Sequence, residues 1–303
     1  MEYTQIGELT VSNLALGCMR IGNKSEEEVY QLILAALDAG INLFDHADIY
    51  YGGKSEKVFG QVLANHPELR EKIVIQTKCG IVPGVCFDLS KEHILKSVDD
   101  SLKRLNVDCI DILLLHRMDP LMDINEVKEA FDELKAGNKV KYFGLSNALP
   151  SQFELLSSVL NVPLMVNQVE FSPAHTNLID QGIFMNIKTP LATSTDGNLI
   201  DYAMMKKISI QAWSPIRESL AHDTFLDNQD YAKLNEVLDE LSQKYQVSKG
   251  AIVVAWIKTH PAKITTVIGT TTPVRIAKMA AGMAVNLTRQ EWYSIYTWDK
   301  KLP

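Results

Sequence analysis

The stretch "NLFDHADIYYGGKSE", residues 42–56, decides how the fold of this chain is interpreted. An apolar run ends at Asp45, and a histidine, a second aspartate, two tyrosines and two glycines follow it. A short, wholly apolar run is typical of a strand that is buried on both faces of a parallel sheet. The polar side chains would then lie at the carboxyl end of that strand, where parallel α/β proteins carry their chemistry.

Seven other short runs rich in Ile, Leu or Val resemble residues 41–44, and amphipathic segments separate them. These seven predicted strands are residues 14–18, 73–77, 110–115, 140–145, 164–168, 208–213 and 265–269. Helical patterns follow them, and several begin at a serine and stop at a glycine, as in residues 25–40. Eight strands that alternate with helices predict a (β/α)8 TIM barrel, an α/β fold.

Several segments add to this eightfold pattern. Residues 3–13 predict an N-terminal β-hairpin, and residues 231–245, 248–260 and 287–303 predict extra helices. Two long connections, residues 174–197 and 215–230, leave the ends of strands six and seven and would lie on the active face of the barrel. A doubly wound sheet is the rival fold, but the sequence has no Gly-x-Gly-x-x-Gly turn after an early strand. We therefore expect one domain spanning residues 1–303.

Composition restricts the class of partner. The formal net charge of −7 argues against a nucleic acid or an anionic membrane as the partner. The four cysteines form no Cys-x-x-Cys pair and no zinc-like spacing with histidine, so we expect reduced thiols and no metal. The first ten residues lack a basic start followed by an apolar run, and no run is long enough to span a bilayer. These features predict a cytoplasmic protein.

The ends of the predicted strands carry reactive groups. Asp45 and Tyr50 follow strand two, while Lys78 follows strand three and His116 follows strand four. A phenol is a poor acid near neutral pH, but a neighbouring ammonium favours the phenolate, and a carboxylate can hold that ammonium in place. Such a group can supply a proton and polarise a carbonyl, but it contains no source of hydride. A cofactor must therefore supply the hydride.

These residues resemble the aldo-keto reductases along nearly the whole chain. The matching motifs are "GINLFDHADIYYGGKSE", "IVIQTKCGI", "DILLLHRMD", "GLSNA", "VNQVEFSP", "IQAWSP" and "TTVIGTTTPVRI". The wording of "DHADIY" and "LLHRMDPLMD" is most similar to a bacterial branch of uncharacterised oxidoreductases in that family. The resemblance implies that Tyr50 is the proton donor, that Lys78 lowers its pKa, that Asp45 holds Lys78 and that His116 binds the carbonyl oxygen.

The resemblance also implies a cofactor site and a partner. The implied cofactor-binding residues are Ser146, Asn147, Gln168, Trp213, Ser214, Gly269, Thr270, Thr271, Thr272 and Arg275. The first three would bind the nicotinamide carboxamide, Trp213 would stack on the ring, and Arg275 would contact a 2′-phosphate. The implied cofactor is NADPH, with NADH possible, because Gly269 stands where many family members have a lysine. The implied partner is a small-molecule carbonyl substrate, and the protein would be a monomer or a weak oligomer.

Other interpretations of the same residues predict different functions. A cofactor-binding sensor would keep the fold with little catalysis, whereas a metal-dependent barrel hydrolase would use Asp45, His46 and His116. We expect His46 and Asp48 to be solvated turn residues and Tyr51 to line the pocket. In the long connections, His175 and His222 are candidate substrate contacts.

Overall fold

Eight parallel strands close into a barrel in the computed structural model, which describes residues 1–217 and 223–303. This arrangement confirms the predicted (β/α)8 barrel. The strands are β1 (Tyr3–Ile6), β2 (Leu9–Ser12), β3 (Leu14–Gly17), β4 (Leu43–Asp45), β5 (Val74–Cys79), β6 (Ile81–Val82), β7 (Cys86–Phe87), β8 (Ile110–Leu115), β9 (Val140–Ser146), β10 (Leu164–Glu170), β11 (Ser209–Trp213) and β12 (Thr265–Ile268). The barrel order is β3-β4-β5-β8-β9-β10-β11-β12, with β12 returning to pair with β3.

Helices surround the barrel and occupy most of the connections between its strands. They are α1 (Glu26–Asp38), α2 (Lys54–Asn65), α3 (Lys91–Leu105), α4 (Ile124–Ala136), α5 (Pro150–Ser157), α6 (Asn177–Ile183), α7 (Leu199–Lys206), α8 (Ala232–Tyr245), α9 (Lys249–Thr259), α10 (Pro273–Ala280) and α11 (Arg289–Tyr296). The predicted serine cap is present, since the Ser25 hydroxyl accepts from the Glu28 backbone N–H in a capping box. The extra helices predicted before and after strand eight are α8, α9 and α11.

The strand residues alternate between two cores. In β8, Ile112 and Leu114 belong to a cluster inside the barrel, whereas Leu113 and Leu115 pack outward against the helices. This period of two is the expected consequence of strand geometry. In β4, Phe44 belongs to the outer core, so Asp45 projects into the barrel. The same alternation directs the polar residues at other strand ends to the interior.

The predicted N-terminal hairpin is formed by β1 and β2, which pair antiparallel. Ile6 and Val11 of this hairpin belong to the same cluster as the inward-facing Leu43, Val74 and Ile112. The hairpin therefore closes the amino-terminal end of the barrel with apolar side chains. The opposite end is left for the polar groups that follow the strands.

The connection after β10 differs from its expected form. Residues 174–197 are not an irregular loop throughout, because they contain α6 and a short 3-10 helix at Pro190–Ala192. Leu178, Ile179 and Phe184 pack into a core with residues of α8 and α9, which explains the local order. Part of the connection 215–230 lies outside the described residues, and so does the candidate contact His222. None of the described helices is long and apolar enough to cross a membrane.

Candidate active site at the carboxyl ends of the strands

The predicted reactive residues of β4 and β5 meet inside the barrel rim. The Lys78 ammonium donates to both carboxylate oxygens of Asp45, at 2.8 and 2.7 Å, and to the Tyr50 hydroxyl at 3.1 Å. It also donates to the backbone carbonyl of His46 at 2.9 Å. Asp45 is 3% exposed and Lys78 is 1% exposed, so the ion pair is shielded from water. Lys78 therefore connects the carboxylate to the phenol.

The protonation of this group is set by burial and by the ion pair together. Burial raises the pKa of Tyr50, and the charge of Lys78 opposes this shift without reversing it. The predicted lowering effect of Lys78 on the Tyr50 pKa is present, but desolvation of the phenolate outweighs it, so the net pKa is raised. Burial alone would lower the pKa of Lys78, but Asp45 and Tyr50 outweigh it and raise that pKa. Near neutral pH the site contains a neutral phenol beside an ammonium.

His116 lies beside Tyr50, with the two rings nearly perpendicular and their centroids 6.1 Å apart. Burial, and then the charges of Lys78 and Arg117, lower the pKa of His116 to about 3. The imidazole is therefore neutral near neutral pH and can donate a hydrogen bond without carrying a charge. Its Nδ1 is buried without a partner among the described residues.

A left-handed turn orients Tyr50 relative to its neighbour. Tyr51, Gly52 and Gly53 all have positive φ, of 51°, 62° and 84°. This turn reverses the chain before α2, so Tyr50 faces Lys78 while Tyr51 is 47% exposed. The structure thus brings Tyr50, and not Tyr51, to the ammonium.

The expectation that His46 and Asp48 are solvated is wrong. His46 is fully buried, and its ring packs edge-on against Phe59 of α2, with centroids 4.5 Å apart. Asp48 is partly buried, and its Oδ1 has no partner among the described residues. Burial, followed by the charge of Glu56, raises the pKa of Asp48 to about 7. His46 points away from the barrel interior, so Asp45, His46 and His116 do not converge as a metal-dependent hydrolase would require.

The proposed nicotinamide residues form a second cluster on the rim. The Trp213 indole N–H donates to Asn147 Oδ1 at 3.1 Å, and the Asn147 amide donates to Ser146 Oγ at 2.9 Å. Asn147 and Ser214 both adopt a left-handed backbone conformation, with φ of 53°. The Gln168 amide nitrogen donates to Asp45 at 2.9 Å. Strands β9, β10 and β11 therefore connect this cluster to the carboxylate of the reactive group.

A cavity of about 250 Å³ adjoins this second cluster. Asn147 and Trp213 line it together with Arg117, Glu170 and His175. His175 is a residue that the sequence indicated as a candidate substrate contact. The cavity offers space beside the indole for part of a ligand.

The loop after β12 carries the residues expected to bind phosphate. Thr272 precedes the first turn of α10, and the Thr270 hydroxyl accepts from the Thr272 backbone N–H at 3.3 Å. Thr271 is half-buried, whereas Gly269 and Arg275 are exposed. The first turn of a helix presents backbone N–H groups that suit an anion.

Arg20 contacts this loop, and the charges of arginines from two other segments act on Arg20. Arg20, from the loop after β3, donates through Nε at 3.2 Å and also through Nη2 to the backbone carbonyl of Gly269. Burial lowers the pKa of Arg20, and the nearby charges of Arg217 and Arg275 lower it further. The sequence analysis identified Arg275 alone, since nothing local links position 20 or 217 to the loop. Positive charges from three segments are thus close together on a protein of net negative charge.

Two glutamines inside the barrel were also missed. Gln76 of β5 and Gln211 of β11 are both fully buried and hydrogen-bond to each other. The signal was present in the sequence, because each interrupts an apolar run two residues before a rim residue, Lys78 or Trp213. A buried amide at an inward strand position requires polar partners.

The fold and the site define a class of protein, an α/β-barrel enzyme with its polar groups at the carboxyl ends of the strands. Comparison with known proteins identifies the family. The aldo/keto reductase family model matches residues 13–300, and the chain belongs to that family. The protein is accordingly an NAD(P)H-dependent oxidoreductase.

Similar proteins span almost the whole chain. An uncharacterized oxidoreductase of Bacillus subtilis, YcsN, is 37% identical over 98% of this chain and 97% of its own length. A 6-dehydroglucose reductase of Agrobacterium fabrum is 35% identical over 96% of this chain and 95% of its own length. The oxidoreductase YdhF of Escherichia coli is 34% identical over 94% of this chain and 92% of its own length. The expected likeness to bacterial oxidoreductases of this family is confirmed, and these relatives support carbonyl reduction.

Proposed function

We propose that this protein reduces aldehydes or ketones to alcohols with NADPH, and that Tyr50 delivers the proton. The observation that carries the proposal is the Lys78 ammonium, which hydrogen-bonds to Asp45 and to the Tyr50 hydroxyl at the same time. The group holds a proton donor beside a fixed positive charge in a buried site. A phenolate formed by proton transfer is stabilised there by the ammonium at 3.1 Å.

The neighbouring residues suit a carbonyl substrate. The neutral His116 can donate from Nε2 to the carbonyl oxygen, which polarises the carbonyl before reduction. NADPH supplies the hydride to the carbonyl carbon when it is bound. The Tyr50 proton passes to the carbonyl oxygen, and Lys78 then faces the phenolate until a solvent proton restores the hydroxyl. The carbonyl carbon thus gains the hydride and the carbonyl oxygen gains the proton, which gives an alcohol.

The cofactor assignment rests on two parts of the rim. Ser146, Asn147 and Gln168 would bind the carboxamide, and the Trp213 indole is fixed by its bond to Asn147, which suits stacking on the ring. Gly269, the three threonines 270–272 and Arg275 would hold the adenosine-side phosphates, and Ser214 would be a further cofactor contact. The positive charges of Arg20, Arg217 and Arg275 near this loop favour NADPH over NADH, since a 2′-phosphate adds negative charge.

The proposed substrate is a small aldehyde or ketone. The proposed protein is one domain spanning residues 1–303 that acts as a monomer or a weak oligomer. The name of the 6-dehydroglucose reductase makes a carbonyl-bearing sugar one member of the panel to test. NADPH consumption is to be measured with aldehydes, ketones and dicarbonyls, and NADH is to be run alongside. Turnover with some carbonyl and a preference for NADPH are the expected results.

Tyr50→Phe tests the proton donor. The variant keeps the ring but loses the hydroxyl that Lys78 binds, so we expect unchanged NADPH affinity and a loss of turnover on the order of a thousandfold. Tyr51→Phe is the matched control, because the adjacent hydroxyl is on an exposed residue, and it is expected to keep turnover. Normal turnover by Tyr50→Phe would refute the assignment, and NADPH binding without reduction of any carbonyl by the unaltered protein would favour a sensor instead.

A further inference from the structure

Three glutamines form a hydrogen-bonded network across the barrel interior. Gln76 Nε2 donates to Asp45 Oδ1 at 2.6 Å and to Gln211 Oε1 at 2.7 Å. Gln168 Nε2 donates to the same two oxygens, each at 2.9 Å. Gln211 Nε2 returns a bond to Gln76 Oε1 at 2.9 Å. We call Gln76, Gln168 and Gln211 the glutamine network, and none of its members is more than 2% exposed.

The amide hydrogens of Gln76 and Gln168 are all used inside the network and by Asp45. A primary amide has two N–H donors, and Gln168 uses one for Asp45 and the other for Gln211. Gln76 likewise uses both of its donors, for Asp45 and for Gln211. Gln168 therefore has only its carbonyl oxygen left to offer a ligand. That oxygen can accept the N–H of a carboxamide but cannot bind the carboxamide oxygen.

The direction of the Gln168 amide is fixed by its neighbours. Asp45 bonds to Lys78 through both oxygens, so the carboxylate acts as an acceptor and requires donors from the glutamines. If the Gln168 amide turned over, its oxygen would face Asp45 Oδ1 and Gln211 Oε1, and all three are acceptors. Buried acceptors that face one another lose their hydrogen bonds and repel. Gln211 therefore holds the Gln168 nitrogen inward, and Gln76 holds Gln211.

We propose that Gln76 and Gln211 are positioning residues that fix the Gln168 amide with its oxygen toward the nicotinamide carboxamide. The proposal rests on the proposed function, because it needs a nicotinamide at the rim. The network then selects one orientation of the carboxamide, and so one face of the ring toward Tyr50. The network also bonds to Asp45 Oδ1, which accepts from Lys78. Gln168, which would bind the cofactor, and Lys78, which contacts the proton donor Tyr50, therefore share one acceptor.

The test compares two cofactors that differ at the carboxamide. The reduced 3-acetylpyridine analogue of NADPH has a methyl group where NADPH has the amide nitrogen, so it cannot donate to Gln168. The affinities of both are measured by quenching of protein fluorescence, which needs no turnover. The unaltered protein is expected to prefer NADPH on the order of tenfold, since the analogue leaves a buried acceptor unpaired.

Gln211→Met and Gln76→Met keep the length of the side chain but remove its hydrogen bonds. Each is expected to reduce the preference for NADPH to less than about threefold, although Asp45 still accepts from Gln168. Gln211→Met removes the second acceptor of the Gln168 nitrogen, and Gln76→Met removes the partner that fixes Gln211, so the Gln168 amide is held less firmly in both. Thr265→Val is the matched control, since Thr265 lies beside Gln211 on β12 and its buried hydroxyl has no partner among the described residues. The control is expected to keep the full preference. Thermal unfolding identifies any variant that fails to fold, and the other methionine variant then carries the test.

Gln211→Glu provides a rescue. A protonated glutamic acid can accept from Gln168 and Gln76 through one oxygen and donate to Gln76 through the other, which reproduces the original bonds. The preference for NADPH should therefore return at every pH, because the ionised carboxylate also accepts from Gln168 and holds its nitrogen inward. A folded Gln211→Met or Gln76→Met protein with an unchanged preference would overturn the positioning role. Failure of the unaltered protein to bind NADPH would instead overturn the proposed function.

Discussion

Replacing Asp48 with asparagine tests how the loop between β4 and Tyr50 holds a buried acid. Burial and the charge of Glu56 raise the pKa of Asp48 from its ordinary value of 3.8 to about 7, although Arg104 opposes the shift. The folded protein therefore holds this proton more tightly than the unfolded chain does. Asparagine keeps the shape of the side chain and can still accept from the Ile49 backbone and the Ser97 hydroxyl, but it never ionises.

The sign and size of the effect follow from proton linkage. Well below pH 3.8 the carboxyl is protonated in both states, and Asp48 has no ionic effect on stability. As the pH rises toward 7, the unfolded chain ionises first, so the free energy of unfolding falls. Above about pH 7 the loss of unfolding free energy is complete. Its size follows from the difference between a pKa of about 7 and one of 3.8, which corresponds to about 4 kcal/mol. Asp48→Asn should remove this loss.

Urea unfolding at about pH 5 and about pH 8 measures the effect. We expect Asp48→Asn to be more stable than the unaltered protein by up to about 4 kcal/mol at the higher pH, with a clearly smaller gain at the lower pH. Asp108→Asn is the control, because Asp108 is exposed and its replacement should shift stability equally at both pH values. Stability curves that run parallel for Asp48→Asn and the unaltered protein would refute the reasoning.

Two other substitutions test the packing and the cofactor. Gly60→Ala should cost about 2 kcal/mol in urea unfolding, because its Cβ would lie 2.1 Å from the Arg104 carbonyl oxygen, whereas Gly182→Ala, with no atom within 4 Å, should cost little. Equal losses for the two would contradict close packing of α2 on α3. Arg275→Gln should weaken NADPH binding about tenfold in fluorescence titrations and leave NADH binding nearly unchanged, and equal weakening of both would argue against a 2′-phosphate contact.

Much of the fold was accessible from the sequence. The eight strands were predicted because burial on both faces makes each one a short, continuous apolar run, and β8 occurs at the predicted residues 110–115. The placement of Asp45, Lys78 and Tyr50 together followed from a general property of parallel barrels, in which all the strand ends meet on one face. Their proposed roles stay predictions until the variants are measured.

The errors came from interactions between distant segments. Lys78 lowers the Tyr50 pKa as predicted, but the net shift depends on how completely the barrel and its helices enclose the phenol, and that enclosure was not predicted from the local sequence. His46 was expected in solvent, yet Phe59 of α2 covers its ring. Residues 174–197 were expected to be irregular, but α6 is ordered by apolar contacts to α8 and α9.

The sequence by itself determined the order of strands and helices, because hydrophobic periodicity and capping act over a few residues. It also determined which reactive side chains stand at strand ends. Only the tertiary structure decided which buried polar groups pair, as Gln76 and Gln211 do across 135 residues of chain. The physical reason is that a buried donor must find an acceptor wherever the closed barrel brings one within about 3 Å, and that distance is set by the whole fold.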